Sequence, residues 1–484
     1  MAKFNLIKEN KTLTLNKASG YGYKASDKLS LVSLLLNSFV EDQYYRTSEE
    51  TLAYLKEIIN SLPDKKFIAK AAIFARNEFG MRSISHATAA ELAYILRGQN
   101  IDWKVKFFDK VIRRVDDSQE ILAYYISKYG RKGLPNALKK GIARALARFD
   151  EYQLSKYKGE NKDVSLVDVV NLCHVKPTDK NKEAFYKLVH KELKNLETWE
   201  TKLTQAGQNA ETDEELKNMK AEAWKDLVLN HKLGYMALLR NLRNIAEQAD
   251  PEVVNEALKQ LVNIEAIKKS LILPFRFFTA YKELSSVANS KKILNAISEA
   301  LDLSVVNVPK LTGRTLIAID QSGSMEGKEA EISSMLAAIL LKSNDADLVT
   351  FDDTANFKNY STKGDVLTIM NSILENFTGG GTNFESIFKL IGSNYYDRII
   401  ILSDMQAWGG SEVGLVKTAL KQYKKNSGAD PYIYSYDLAG YGTLSFPENK
   451  VYALAGFNPK IFDIMSVLEQ DKQALINTIE KVEL

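Results

Sequence analysis

The sequence predicts two fold classes in one chain: an all-helical front over residues 1–300 and a doubly wound α/β back over residues 311–484. Three observations predict this. The front repeats apolar positions at helical spacing in segment after segment. The back alternates short β-branched or aromatic runs with helix-like stretches. The charge changes sign where the pattern changes: residues 311–484 carry 15 Lys+Arg against 22 Asp+Glu, and the remainder carries 50 against 39.

At 484 residues the chain is longer than a single core usually grows, so two or more domains are expected. Hydrophobic residues at 45% and charged residues at 26% suit a globular protein and exclude overall disorder. No apolar run approaches the ~18 residues that span a bilayer. The first residues, "MAKFNLIKENKTLTLN", lack a signal-peptide apolar core. A single cysteine, Cys173, excludes an internal disulfide, and four histidines leave little for a Cys/His zinc site. A cytoplasmic protein without a membrane segment is expected.

The helical front runs from about residue 27. "SLVSLLLNSFV", "SEETLAYLKEIINSL", "KKFIAKAAIFARNEF", "ATAAELAYILRG", "WKVKFFDKVIRRV" and "QEILAYYISKYG" each place apolar residues three and four apart. Breakers such as "SLPDK" and "YGRKGLPN" separate them. Short connections between helices predict antiparallel pairs in series, a solenoid of the HEAT or armadillo kind, although no clean fixed period is present.

The positive charge is concentrated. Between residues 128 and 158 stand Lys128, Arg131, Lys132, Lys139, Lys140, Arg144, Arg148, Lys156 and Lys158, opposed by Asp150 and Glu151. In "LPNALKKGIARALARF", Lys140, Arg144 and Arg148 recur every fourth residue, while Leu138, Ile142, Ala145, Leu146 and Phe149 form an apolar face opposite. Like charges at that spacing repel, by a few tenths of a kcal/mol per pair. A phosphate backbone would turn that repulsion into attraction.

In the back, "RTLIAID", "DLVTF", "DRIIILSD", "DPYIYSYDL" and "NKVYALAG" read as strands. Helix-like runs between most of them predict a parallel sheet, whose ligand site lies beyond the carboxyl ends of the strands. "IFDIMSVLEQDKQALINTIEKV" closes the chain as one or two helices. Three carboxyl-end loops are unusual: "DQSGS" with Asp320, Ser322 and Ser324; "FTGGGTNF" with Thr382; and "IIILSDMQ" with Asp404. Two carboxylates and three hydroxyls are hard oxygen donors, the set that suits Mg²⁺ or another divalent cation. An aspartyl-phosphate enzyme would want a second acid where Ser322 stands, and "TGGGTN" lacks the lysine of a phosphate loop, so no enzyme is expected.

The order Asp320, Ser322, Ser324, Thr382, Asp404 resembles the metal-ion-dependent adhesion site, DxSxS…T…D, of the von Willebrand factor A domain. By that resemblance the hydroxyls contact the ion, the acids act often through water, and an acidic group of a protein partner completes the coordination. Ahead of it, "FARNEFGMRSISHATAAELA", "LSKYK…VVNLCHVKP", "LGYMALLRNLRNI" and "LILPFRFFTAYK" resemble the TROVE family, that of the Ro autoantigen and its bacterial Rsr relatives. The resemblance implies a ring of HEAT-like repeats closed by the A domain. It implies Y-like RNA on the outer basic surface, and ends of misfolded or decaying noncoding RNA in the central hole. In several bacterial relatives an exoribonuclease is tethered through the RNA. It transfers RNA contacts to Lys156 and Lys158 of "SKYK" and to His174 and Lys176 of "CHVKP", beside Lys139, Lys140, Arg144 and Arg148 from the charge pattern. Where the family often has an arginine after the KYK element, this chain has "GENK" with Glu160, which leaves a weaker or repositioned contact open. A monomer without DNA specificity is expected. The alternative reading makes the A domain the working end, a Mg²⁺-dependent docking module supported by the helices.

Overall fold

The computed structural model describes residues 13–15, 21–24, 27–37, 47–159, 162–193, 199–285, 290–377, 379–405, 413–438, 443–444, 451–455, 465 and 474–484. Among them, seventeen helices follow one another from Asp27–Asn37 to Lys291–Leu303. Local signals set their limits. Helix Ser48–Ser61 opens on a reciprocal cap: Thr47 Oγ1 accepts from Glu50 N, and Glu50 Oε2 accepts from Thr47 N. Its buried residues, Thr51, Leu55, Ile58 and Ile59, fall on one face at the expected spacing. Close packing fixes neighbours. A Cβ added at Gly141 would collide with Phe108 Cβ, so helix Asn136–Leu146 lies directly against helix Lys104–Lys110.

One buried acid joins three helices. Asp117, at the start of helix Val115–Tyr129, accepts from Arg76 of helix Lys65–Asn77 and shares a 2.9 Å bond with His86 Nε2 of helix Ser83–Ile95. It also accepts from the backbone N–H groups of Arg113 and Arg114 at 3.0 and 2.9 Å. The "MRSISH" stretch thus supplies packing partners: His86 on Asp117, and Arg82 on Asp116 at 2.7 Å.

The strands are β1 (Leu13–Leu15), β2 (Tyr21–Lys24), β3 (Thr315–Asp320), β4 (Ala346–Phe351), β5 (Ala355–Lys358), β6 (Arg398–Ser403), β7 (Tyr432–Asp437), β8 (Thr443–Leu444) and β9 (Val451–Ala455). The main sheet has the order β5-β4-β3-β6-β7-β9, parallel except for β5 at one edge. This is the doubly wound arrangement, with its order reversing between β3 and β6. Alternate residues of β3 face opposite layers. Leu316 and Ala318 pack with Phe384, Phe388 and Leu420, while Ile317 and Ile319 belong to the core that continues into the helical array.

Two features depart from the expected pattern. β5 is a four-residue return strand, antiparallel to β4, outside the strands expected from the sequence. Before the helices, β1 and β2 form a hairpin whose second strand pairs with β8, Tyr23 opposite Leu444. The opening segment is therefore joined to the α/β half.

The array meets the α/β unit at both ends. Helix Asp27–Asn37 packs on β9, and helix Ala474–Glu480 packs on helix Lys65–Asn77. There Lys28 Nζ reaches Glu480 Oε1 at 2.7 Å, Lys70 donates to the Glu480 carbonyl, and Lys110 Nζ donates to the Glu483 carbonyl at 3.0 Å. At the other end helix Lys291–Leu303 packs on helix Val366–Leu374, and Asp302 takes both Lys342 Nζ at 2.7 Å and Val366 N at 3.0 Å. Of the expected closing helices, Ala474–Glu480 is seen; residues 461–464 and 466–473 lie outside the described residues. No helix among the described residues is long and apolar enough to cross a membrane.

Candidate nucleic-acid interface and metal centre

The charged stripe sits on helix Asn136–Leu146, where Leu138, Ile142, Ala145 and Leu146 are buried, as is Phe149 just beyond. Lys140 and Arg144 are exposed on the other side, with Lys139 half-buried. The helix stops at Leu146, so Arg148 falls past the stripe. Its guanidinium turns back onto the carbonyls of Asp109 and Ile112, at 3.2 and 2.9 Å, and pairs with the Asp109 carboxylate. Arg144 Nε lies 3.7 Å from the same carboxylate. One acid thus offsets two of the three stripe cations, and Arg148 closes the end of helix Lys104–Lys110 as a cation at a C-terminus should.

Next along the chain, Asp150 and Gln153 cap each other to start helix Glu151–Lys156. Lys156 at its end is exposed, whereas Lys158 is half-buried and donates to the Leu193 carbonyl. Arg114 lies over the Tyr157 ring at 4.6 Å, a cation the pattern of charges had not singled out. Glu160 lies outside the described residues.

Helix Leu166–Cys173 starts on a Ser165–Asp168 capping box and ends on His174, which takes a left-handed conformation with φ 53°. That turn sends His174 and Lys176 to the surface. Burial pushes the Cys173 thiol up to about 12, opposed by the nearby Lys139 ammonium. The helix that carries Lys139 packs on the helix that ends at His174. Asn181 ties the following segment to the end of the cationic helix, donating to the carbonyls of Ala147 and Phe149 at 2.9 and 3.0 Å. Lys140, Lys156, His174 and Lys176 are exposed and Lys139 is half-buried, and the helix of Lys139 and Lys140 packs on the one that ends at His174. Lys158 is half-buried against the Leu193 carbonyl, and Arg148, although exposed, is engaged by Asp109 and two carbonyls.

The second site forms at the switch point of the sheet. Asp320 ends β3 and Asp404 follows β6, and both are buried. Ser403 Oγ donates to Asp320 Oδ2 at 2.5 Å, and the Ser322 N–H donates to Asp320 Oδ1 at 2.9 Å. Ser322 Oγ and Ser324 Oγ are 3.3 Å apart. A strand-like bridge between Ser322 and Gly380 lays the glycine loop alongside, and Thr382, two residues on, is buried. Gly379 has φ +76°, a conformation that favours glycine, and a Cβ at Gly381 would fall 2.5 Å from Asp353 Oδ1, which would have to shift. Burial, then repulsion from Asp404, pushes the Asp320 carboxyl up to about 7. Two like charges sharing a dry site are unfavourable unless a proton or a cation intervenes. The all-oxygen donor set fits a hard divalent cation, and among the described residues no cluster of three or more His, Cys, Asp or Glu offers an alternative.

Comparison with known proteins gives three findings. A model of the TROVE domain matches residues 6–217 and 190–312. The crystal structure of the Deinococcus radiodurans RO (RSR) protein superposes with a TM-score of 0.64, covering 90% of this chain and 98% of that one, at 18% identity, so the likeness is one of fold. Telomerase protein component 1 of Mus musculus is 22% identical over 338 residues, 54% of this chain, and its counterpart in Rattus norvegicus is 22% identical over 335 residues, 53% of this chain. The chain spans 13% of the length of these curated relatives.

Proposed function

The chain belongs to the TROVE-domain family, a family of RNA-binding proteins, and from that premise we propose that it is a scaffold for small structured noncoding RNA of the Y type. The observation that carries the reading is the exposed set Lys140, Lys156, His174 and Lys176, with Lys139 on the helix that packs on the one ending at His174. Such cations contact phosphates in the main, so RNA is chosen by shape and accessible ends more than by sequence. The helices and the α/β unit form a closed ring in this proposal, supported by the contacts of helices Asp27–Asn37 and Lys291–Leu303 with that unit. Ends of misfolded or decaying RNA enter its central hole. A bound RNA tethers an exoribonuclease, and the protein itself performs no chemistry.

The α/β unit, in the same proposal, is a von Willebrand factor A domain. Asp320, Ser322, Ser324, Thr382 and Asp404 would hold Mg²⁺, which supplies a Lewis-acidic position for an acidic group of a protein partner. The buried, mutually repelling Asp320 and Asp404 favour this second docking role.

The test is a titration of structured RNA at several salt concentrations. Reversal of Lys140, Lys156 and Lys176 to Glu lowers affinity and flattens the salt dependence. An unchanged affinity and slope would place the RNA elsewhere.

A further inference from the structure

The ends of helices Ser83–Ile95 and Val115–Tyr129 carry a layered stack. Arg97 lies over the Tyr94 ring at 3.7 Å, and its Nη1 donates to the Tyr94 carbonyl at 3.2 Å. Tyr94 in turn stacks on Tyr129 with ring centroids 3.8 Å apart and planes 10° from parallel. Arg97 is exposed, while Tyr94 and Tyr129 are half-buried. The stack is held from below by Glu91, which is fully buried. Glu91 accepts from Tyr129 OH at 2.5 Å, Tyr124 OH at 3.2 Å and Lys128 Nζ at 2.9 Å. Burial, then Glu91, pushes the Tyr129 hydroxyl well above its ordinary range, so it stays a proton donor.

A helix end attracts a cation of any shape. It does not require a guanidinium pressed flat on a ring that is itself stacked on a second ring. That arrangement presents a planar cationic face to solvent, and unpaired nucleobases stack on such faces. Fixing the plane beforehand removes the entropy that a mobile arginine would lose on binding. Surroundings agree: Lys128, Arg131 and Lys132 are exposed next to Tyr129. Helix Val115–Tyr129, which carries Tyr129, packs on helix Leu166–Cys173, which ends at His174.

We infer that the Arg97–Tyr94–Tyr129 stack, braced by Glu91, is a binding site for an unpaired nucleotide of an RNA whose structured part lies on the adjoining cationic surface. The inference rests on the proposed RNA-binding role. Arg97 binds the base by its face, and the exposed Arg131 and Lys132 offset the neighbouring phosphate charge.

The experiment compares a blunt RNA hairpin with the same hairpin carrying a short adenosine extension that includes 2-aminopurine. Wild-type protein binds the extended hairpin more tightly, and the fluorescence of the 2-aminopurine is quenched. Arg97→Ala and Arg97→Lys each remove roughly ten-fold of affinity for the extended hairpin, leave the blunt one unchanged, and abolish quenching. Tyr94→Leu does the same, with melting temperatures verifying that all variants fold. Full retention of the effect by Arg97→Lys would overturn stacking in favour of plain charge. Equal wild-type affinity for both hairpins would overturn the site and leave the RNA-binding role intact. Failure of wild-type protein to bind either hairpin would overturn both.

Discussion

Arg76 grips Asp117 through two nitrogens, Nε at 3.1 Å and Nη2 at 2.8 Å, across 41 residues of sequence and out of reach of solvent. Removing one member of a buried pair strands the other charge in a medium that cannot solvate it, at a cost of about 3–5 kcal/mol. Asp117→Ala also deprives His86 and two backbone N–H groups of their acceptor. Its urea midpoint is expected to fall accordingly, or the chain to fail to accumulate as folded protein.

The same acid makes stability depend on pH. Burial alone would raise the Asp117 carboxyl, but His86 and then Arg76 outweigh it and hold the group well below the usual 3.8. The unfolded chain therefore takes up the proton more readily than the folded one. The stabilisation is complete above pH 3.8 and is lost as pH falls below it towards the folded value. Urea midpoints measured through the acid range should show this limb in wild-type protein and a shallower one in Asp117→Asn.

Cations of the helical array divide into two kinds, and their variants should separate. Lys140→Glu, Lys156→Glu and Lys176→Glu leave the melting temperature within a degree or so, as exposed substitutions do, and weaken RNA binding. Removing one lysine–phosphate pairing lowers the slope of log affinity against log salt by about 0.7–0.9. Arg148→Glu places an acid beside Asp109 and two carbonyls, so it destabilises the fold before it affects binding. Melting curves beside the RNA titrations distinguish the two groups.

At the sheet, added Mg²⁺ raises the melting temperature of wild-type protein by relieving the repulsion between Asp320 and Asp404. A cation at a hundred times its dissociation constant adds about 2.7 kcal/mol. Asp320→Asn, Ser322→Ala and Thr382→Ala each diminish this increment, read by thermal melts with and without a chelator. An equal response in all variants would remove the ion from these residues.

Short-range pattern carried much of this architecture. The apolar face of "LPNALKKGIARALARF" is buried at every position the spacing named, from Leu138 to Phe149. "RTLIAID", "DLVTF" and "DRIIILSD" became β3, β4 and β6, and the turn after β3 lies at the switch point that parallel topology selects. What remained hidden depends on partners far along the chain. Asp109 offsets Arg148 from 39 residues away, and nothing near "ARALARF" announces it. β5 has only four residues, too few for its alternation to stand out, and its conformation is fixed by antiparallel pairing with β4. Tyr94 and Tyr129 each read as one aromatic at a helix end; their stacking comes only from the way two helices lie together.

Lys28 and Glu480 meet across 452 residues. At about 5–20 residues per second, a ribosome needs on the order of a minute to deliver the second after the first. For most of that wait the segments bearing Lys140, Lys156 and His174 have already been made. The clasp between the opening helices and the final one is thus a late event in the molecule's birth, completed after its cationic segments exist.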